Sequence, residues 1–274
     1  MNAVVVKLGG RGVDAAVARE PIIDALANLA AHERLVIVHG GGNAIDARLE
    51  RLGIEARRVQ GLRVTDEQSM REMVAAVGGN VNHALTGALL SRDVTSAGLT
   101  LTGAGIRCRL HEPVESIDLG RVGIVEPGED AHDVDGLIAL MGAGVLPVIS
   151  CVGADEDGQP LNVNADDAAA GVALALGASQ LILLTDTPGV LDANGGLIEQ
   201  LDRTEIERLI DAGIIAGGMI VKVRAAADMA ASLHAPVRIA AWADADADWW
   251  RNPSAPGGTI IRDGKAASLG AGNG

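Results

Sequence analysis

Leu35-Val36-Ile37-Val38-His39-Gly40-Gly41-Gly42 reads as a buried strand that runs straight into a glycine turn. Four apolar residues in a row, three of them β-branched, suit a strand covered on both faces, as in a parallel sheet between helical layers. A helix is predicted directly after the glycines. The same grammar stands at the start of the chain, where Val4-Val5-Val6 ends in Lys7-Leu8-Gly9-Gly10. Two such units, strand then glycines, indicate an α/β protein rather than an all-helical or all-strand one.

The rest of the chain continues this alternation. A helix is predicted from Pro21, a favoured first-turn residue, to about His32. Thr65 with Gln68 reads as a capping box for a helix reaching about Val77, and Thr204 with Glu207 as another. Val145 to Val152 reads as one buried strand, and Asn164 as the cap of an alanine-rich helix, Ala165 to Leu176. Leu181 to Leu184, Val237 to Ala241 and Thr259 to Ile261 are predicted strands, with a helix from Met219 to Leu233 before the last two. Asp155-Glu156-Asp157-Gly158 and Asp192-Ala193-Asn194-Gly195 are hairpin signals. Their carboxylates superficially resemble a calcium loop, but the twelve-residue frame and its terminal Glu are missing, so they read as turn residues.

Composition narrows the partners. Of 274 residues, 48% are hydrophobic, enough for a large core in one two-lobed domain or two small domains. The formal charge of −14 repels nucleic acid and anionic membranes, so neither is an expected partner. Cys108 and Cys151 stand far apart and outside any metal-ligand spacing, so no resident metal is expected and the thiols point to a reducing cytosol. No leader-like segment or bilayer-length apolar run is present, and a cytoplasmic, soluble protein is expected. Phe and Tyr are absent, leaving Leu, Ile, Val, Met, Ala and three Trp to fill the core.

An acidic chain that binds an anion must gather its few cations and backbone N–H groups at one place. Gly9-Gly10 and Gly40-Gly41-Gly42 each let the backbone approach an anion closely, and the helix after the second adds its positive dipole end. Neither matches the P-loop or the dinucleotide fingerprint, and a tight strand-to-helix turn is the plain alternative. Lys7 closes a buried strand, and Lys222 lies in a first helical turn after Gly217-Gly218, where a cation is disfavoured unless something anionic is near. Alone, either lysine reads equally well as a solvated side chain. Asn162-Val163-Asn164-Ala165-Asp166 offers two amides and a carboxylate, of which simple capping would use only Asn164. Arg63, on a turn before a helix, suits a bidentate grip on a carboxylate. His39 reads as structural rather than as a base.

In this order, with Gly61-Leu62-Arg63-Val64-Thr65-Asp66, Leu184-Thr185-Asp186, Gly189-Val190-Leu191-Asp192 and Gly217-Gly218-Met219-Ile220-Val221-Lys222-Val223, the motifs resemble the amino-acid kinase family. Within it they are most similar to the compact bacterial N-acetylglutamate kinases, over about residues 3–262. The resemblance implies a three-layer sandwich with an open, mainly parallel central sheet of about eight strands. It also implies a single domain, 1–262, with an N-lobe of about 1–174 for the acyl amino acid and a C-lobe of about 175–262 for ATP with Mg2+. Residues 263–274 are expected to form a disordered tail. The reaction implied is phosphorylation of the side-chain carboxylate of N-acetyl-L-glutamate, in arginine biosynthesis.

By the same resemblance Lys7 and Lys222 stabilise the transferring phosphoryl group and Asp166 orients the two ammonium groups. Gly41, Gly42, Arg63, Asn162 and Asn164 serve the acyl amino acid. Gly9, Gly10, Thr185, Asp186, Gly189, Val190, Leu191, Ile214, Ile215, Ala216 and Gly218 serve the nucleotide. A homodimer insensitive to arginine is expected, with Met70, Met73, Val74, Val77, Val81 and Leu85 as a candidate interface face. Thr102-Gly103-Ala104-Gly105 departs from relatives, which often carry an acidic or Lys-Asp pair there. A kinase for carrier-linked aminoadipate or glutamate, or a non-catalytic sensor of amino acid or nucleotide, is the alternative.

Overall fold

The computed structural model describes residues 3–18, 20–245, 247–250 and 255–264. The tail after Gly264, expected to be disordered, lies outside the described residues. Strand β1 (Ala3–Leu8) leads to helices α1 (Gly10–Val17) and α2 (Pro21–His32), then β2 (Arg34–His39) and α3 (Gly42–Arg51). A short hairpin, β3 (Arg58–Val59) and β4 (Leu62–Arg63), precedes α4 (Glu67–Met73). That helix runs through a π-helical stretch (Val74–Val81) into α5 (Asn82–Leu90). Next come β5 (Ser96–Thr100), β6 (Cys108–Leu110), β7 (Val122–Val125), α6 (Asp135–Gly142), β8 (Leu146–Ser150), β9 (Val152–Ala154) and β10 (Pro160–Val163). The chain closes with α7 (Ala165–Leu176), β11 (Gln180–Thr185), β12 (Gln200–Leu201), α8 (Arg203–Asp211), α9 (Gly218–Leu233), β13 (Val237–Ala241) and β14 (Thr259–Ile261).

Among the described residues the central sheet has eight strands in the order β12-β14-β13-β11-β1-β2-β8-β5. Six of them, β5 to β13 in that order, run parallel. β14 turns antiparallel to β13, and β12 lies parallel to β14. Each apolar strand feeds two cores. Val5, Val36, Leu181 and Leu183 pack toward α3, α7 and α9, while Val4, Val6, Leu35, Ile37 and Ile182 pack toward α1, α2 and α5. Each such side chain withdrawn from water contributes roughly 2 kcal/mol, which explains why these runs carry no polar residue. Trp249 and Trp250, stacked with ring centroids 4.2 Å apart, fill part of the second core in place of the missing Phe and Tyr. A second, four-stranded sheet, β6-β7-β10-β9, stands beside the first.

Several boundaries differ from the sequence reading, each for a local reason. Val145 to Val152 is two strands, because Cys151 serves two sheets: its N–H donates to the His39 carbonyl while its own carbonyl accepts from Val163 N–H. Asp66, not Thr65, caps α4 by accepting from Ser69 N–H, and Asp202 with Glu205, not Thr204 with Glu207, forms the capping box of α8. Glu207 instead pairs with Arg224. Helix α1 has no sequence signal beyond Gly10 and was not expected. The proposed interface face is corrected as well: Met70, Met73, Val77, Val81 and Leu85 are buried within the monomer, leaving Val74 alone exposed. Among the described residues no helix is long and apolar enough to cross a membrane.

His39 lies fully buried where β2 meets the glycine turn. Its Nε2 is 3.1 Å from Asn82 Nδ2, which can only donate, so the ring carries its proton on Nδ1 and gives it to the Gly40 carbonyl at 2.7 Å. Burial pushes the imidazole down from the ordinary 6.5 to about 4. The unfolded chain takes up that proton near pH 6.5 and the folded chain does not, so stability is fully present above 6.5. It is lost as pH falls from 6.5 toward 4, by at most about 3 kcal/mol. Urea midpoints of the wild type and of His39→Gln at pH 7 and pH 5 check this. The wild type should lose more stability over that interval than the variant, whose carboxylates titrate in common with it.

Candidate active site

Because β1, β2 and β11 are parallel, their carboxyl ends meet on one side of the sheet, the usual location of ligands in such folds. There the chain turns through Gly9-Gly10 and Gly40-Gly41, and Gly10 takes a left-handed φ of +48° that favours glycine. Lys7, the penultimate residue of β1, reaches up between these turns. Its Nζ lies 2.8 Å from Asp166 Oδ1, and a Cβ on residue 9 would stand 2.4 Å from that Nζ, so Gly9 leaves the ammonium its place. Asp166 is delivered by α7, whose N-terminus Asn164 caps by accepting from the N–H groups of Asp166 and Asp167.

Lys222, in the first turns of α9, lines a cleft together with Lys7 and Asp166 and lies near enough to feel both charges. Burial holds its pKa below the ordinary lysine value, and Lys7 pushes the same way; Asp166 and Asp186 oppose them. Two ammonium groups and one carboxylate thus stand in one electrostatic neighbourhood. A further anion placed among them would restore the lysine toward its ordinary basicity.

Two clefts open here. The first, of about 220 Å³, is lined by the glycine turns and by Arg63, Asn162, Asn164 and Asp166. The second, of about 190 Å³, is lined by Thr185, Asp186 and Lys222. Lys7, Gly9, Gly10 and Asp166 line both.

In the first cleft Arg63 comes from the β3–β4 hairpin, with its side chain only 6% exposed. One Nη2 pairs with Asp46, while Nη1 is buried without a hydrogen-bond partner. Thr65 Oγ1 donates to the Arg63 carbonyl and accepts from Asn162 Nδ2, tying two of the expected acceptor residues together. The π-helical stretch supplies Val77 to the cleft wall, close enough to Gly41 that a Cβ on residue 41 would sit 2.8 Å from Val77 Cγ2. Cys151 also lines this cleft, but burial pushes its thiol up to about 11, so it is no thiolate nucleophile at neutral pH.

In the second cleft Asp186 accepts from Trp242 Nε1 at 2.8 Å and pairs with Arg11 at 3.1 Å. These hydrogen bonds, the Trp242 one foremost, hold its carboxyl below the usual range. Gly189, Val190, Leu191, Ile214, Ile215, Ala216 and Gly218 line neither cleft. Val190 and Ile215 are buried in the core, and the Val190 N–H is spent on Thr259 Oγ1. Thr102-Gly103-Ala104-Gly105 likewise lines neither cleft.

The sequence reading missed Arg11, Trp242, Arg58, Met73, Val77 and Cys151. Arg11 follows Lys7-Leu8-Gly9-Gly10 directly and was within reach of a reading that continued one residue; the others are brought in only by tertiary packing.

A profile of the amino acid kinase family matches residues 2–241. Among solved structures, smu.665 from Streptococcus mutans UA159 is 27% identical, with 95% of this chain and 98% of that chain covered and a TM-score of 0.72. N-acetylglutamate synthase from Neisseria gonorrhoeae, complexed with coenzyme A and N-acetyl-glutamate, is 24% identical with a TM-score of 0.80; 96% of this chain matches 59% of that one. Carbamate kinase from Giardia lamblia bound to AMP-PNP is 17% identical, covering 96% and 98%, with a TM-score of 0.61. The chain belongs to the amino acid kinase family and is a phosphotransferase by that membership.

Proposed function

We propose that this protein transfers the γ-phosphoryl group of ATP, held with Mg2+, to the side-chain carboxylate of N-acetyl-L-glutamate. The observation that carries the reading is the pair of clefts sharing Lys7, Gly9, Gly10 and Asp166. Two substrates bound one to each cleft would meet at a lysine, a glycine backbone and a carboxylate that orders the lysine. The AMP-PNP bound by the Giardia carbamate kinase supports ATP as the donor.

The acceptor needs no general base, since a carboxylate of reference pKa about 4.3 is already ionised at neutral pH. The obstacle is one anion approaching another, which positioning and charge neutralisation overcome. Lys7 and Lys222 would neutralise the transferring group, and Asp166 would hold their ammonium groups in place. Arg63 lines the acceptor cleft and its buried Nη1 has no partner, which suits one oxygen of an α-carboxylate. The Mg2+ would be carried on phosphate oxygens. In this reading residues up to about 174 serve the acceptor and those from about 175 to 262 the nucleotide. The chain works as a cytoplasmic homodimer, for which light scattering should give the mass of two chains.

A coupled ADP-release assay with N-acetylglutamate, glutamate, aspartate and aminoadipate tests the substrate. N-acetylglutamate should give the highest kcat/KM. Turnover of a different acid would reassign the acceptor, and ADP release with none of the four would sink the carboxylate-kinase reading.

A further inference from the structure

Helix α1 reaches Asp186 of the second cleft, and Asn43 beside the glycines of the first, through side chains that the proposed reaction leaves without a role. On one side, Arg11 Nε donates to Asp186 Oδ1 at 3.1 Å and Arg11 Nη2 lies 3.1 Å from Oδ2, a two-pronged grip. Trp242 Nε1 donates to the same Oδ1, and its ring packs so closely over Gly12 that a Cβ there would stand 3.2 Å from Trp242 Cγ. On the other side, Asn43 Nδ2 donates to Asp14 Oδ2 at 2.6 Å, and Asn43 is the residue after Gly42. Arg11 and Asp14 are three residues apart and so share one face of α1.

Stability does not explain these contacts. The side chains of Arg11 and Asp186 are 68% and 49% exposed, and exposed pairs of this kind add little to folding. Their placement is more informative. Gly10, the first residue of α1, lines both clefts, so where α1 lies sets where the Gly10 N–H points. One clasp ties the helix to the end of β11 on the nucleotide side, the other to the first turn of α3 beside the acceptor-side glycines. Arg11 also offsets a carboxylate that would otherwise face incoming phosphates uncompensated.

We propose that Arg11 and Asp14 are positioning residues that hold α1 between the two clefts, Arg11 through Asp186 and Trp242, Asp14 through Asn43. The role rests on the phosphotransfer reading above. The two clasps act on different substrates: loss of Arg11 loosens the nucleotide wall, and loss of Asn43 loosens the acceptor wall.

Steady-state kinetics of the full chain, with hydrogen exchange at residues 10–17, tests this. Arg11→Ala should raise KM for ATP roughly fivefold, the scale of one exposed clasp, with KM for the acceptor unchanged. Asn43→Ala should do the reverse, and both should speed exchange in α1. Arg11→Lys keeps the charge but loses the fork, so it should recover KM for ATP only in part. The exchanged pair Asp14→Asn with Asn43→Asp swaps donor and acceptor and should restore KM for the acceptor. An active wild type whose variants keep both KM values overturns the positioning role, whether or not exchange changes. A wild type that phosphorylates nothing overturns the phosphotransfer reading and this role together.

Discussion

Lys222→Ala is expected to lower kcat by roughly 100- to 1,000-fold with little change in stability, the scale seen when one preorganised charge-stabilising group is removed. Lys222 is half-buried at the start of α9 and has no ion-pair partner within salt-bridge distance among the described residues. In the resting protein its charge meets Asp166 and Asp186 only through space, whereas a phosphoryl group arriving between it and Lys7 would depend on it directly. Lys7→Ala should cost as much in kcat but also release Asp166 from its 2.8 Å partner, so a small loss of stability should accompany it. The pH profile offers an independent check. In the proposed reaction Lys222 acts as an ammonium, and its pKa lies below the ordinary 10.5 because burial disfavours the charge. Activity should accordingly fall on an alkaline limb below 10.5, and Lys222→Arg should move that limb upward in whatever activity remains. Near-normal kcat in either alanine variant removes that lysine from the mechanism.

The strand-and-glycine grammar made the fold legible because it is local. A continuous apolar run such as Leu35 to Val38 has few alternatives, and a glycine turn after it states the chain direction. Asn164 was legible as a cap for the same reason: its side chain bonds two residues along its own chain. The errors are equally instructive. Asp66 and Asp202 lost the capping assignment to threonines nearby, since any Ser, Thr, Asp or Asn in the right window satisfies the pattern and only backbone direction decides. The π-helical stretch could not be read, because one extra residue per turn leaves no mark in composition. The catalytic candidates Lys7, Asp166 and Lys222 were readable as residues beside glycines, but their meeting is a property of the sheet. Of the residues expected at the nucleotide, Val190 and Ile215 place their side chains in the core, and the carboxylate that lines the second cleft, Asp186, is held by Arg11 and Trp242, one 175 residues and the other 56 residues away in sequence.

Arg63→Ala is expected to raise KM for the acylated amino acid roughly 100-fold, leave KM for ATP within about twofold and change kcat far less. The size follows from burial. A guanidinium that is 6% exposed and bonded to Asp46 on one side leaves Nη1 buried without a partner, on a residue that lines the first cleft. An isolated donor buried in this way costs free energy until an acceptor arrives, so a carboxylate binding there regains a charge-assisted hydrogen bond made in a water-poor site. In the proposed complex this contact would lie at the remote end of the acceptor and strengthen ground state and transition state alike, so its loss should appear in KM rather than in kcat. Stability should suffer little, since Asp46 is 43% exposed and keeps Arg58 at 3.0 Å as its second partner. Arg63→Lys retains one charge and loses the fork, so it should recover part of the affinity and no more. A thermal melt run beside the kinetics separates binding from folding. A variant that melts like the wild type yet shows equal rises in both KM values would refute a substrate-specific role, and one with unchanged acceptor KM would take Arg63 out of the site altogether.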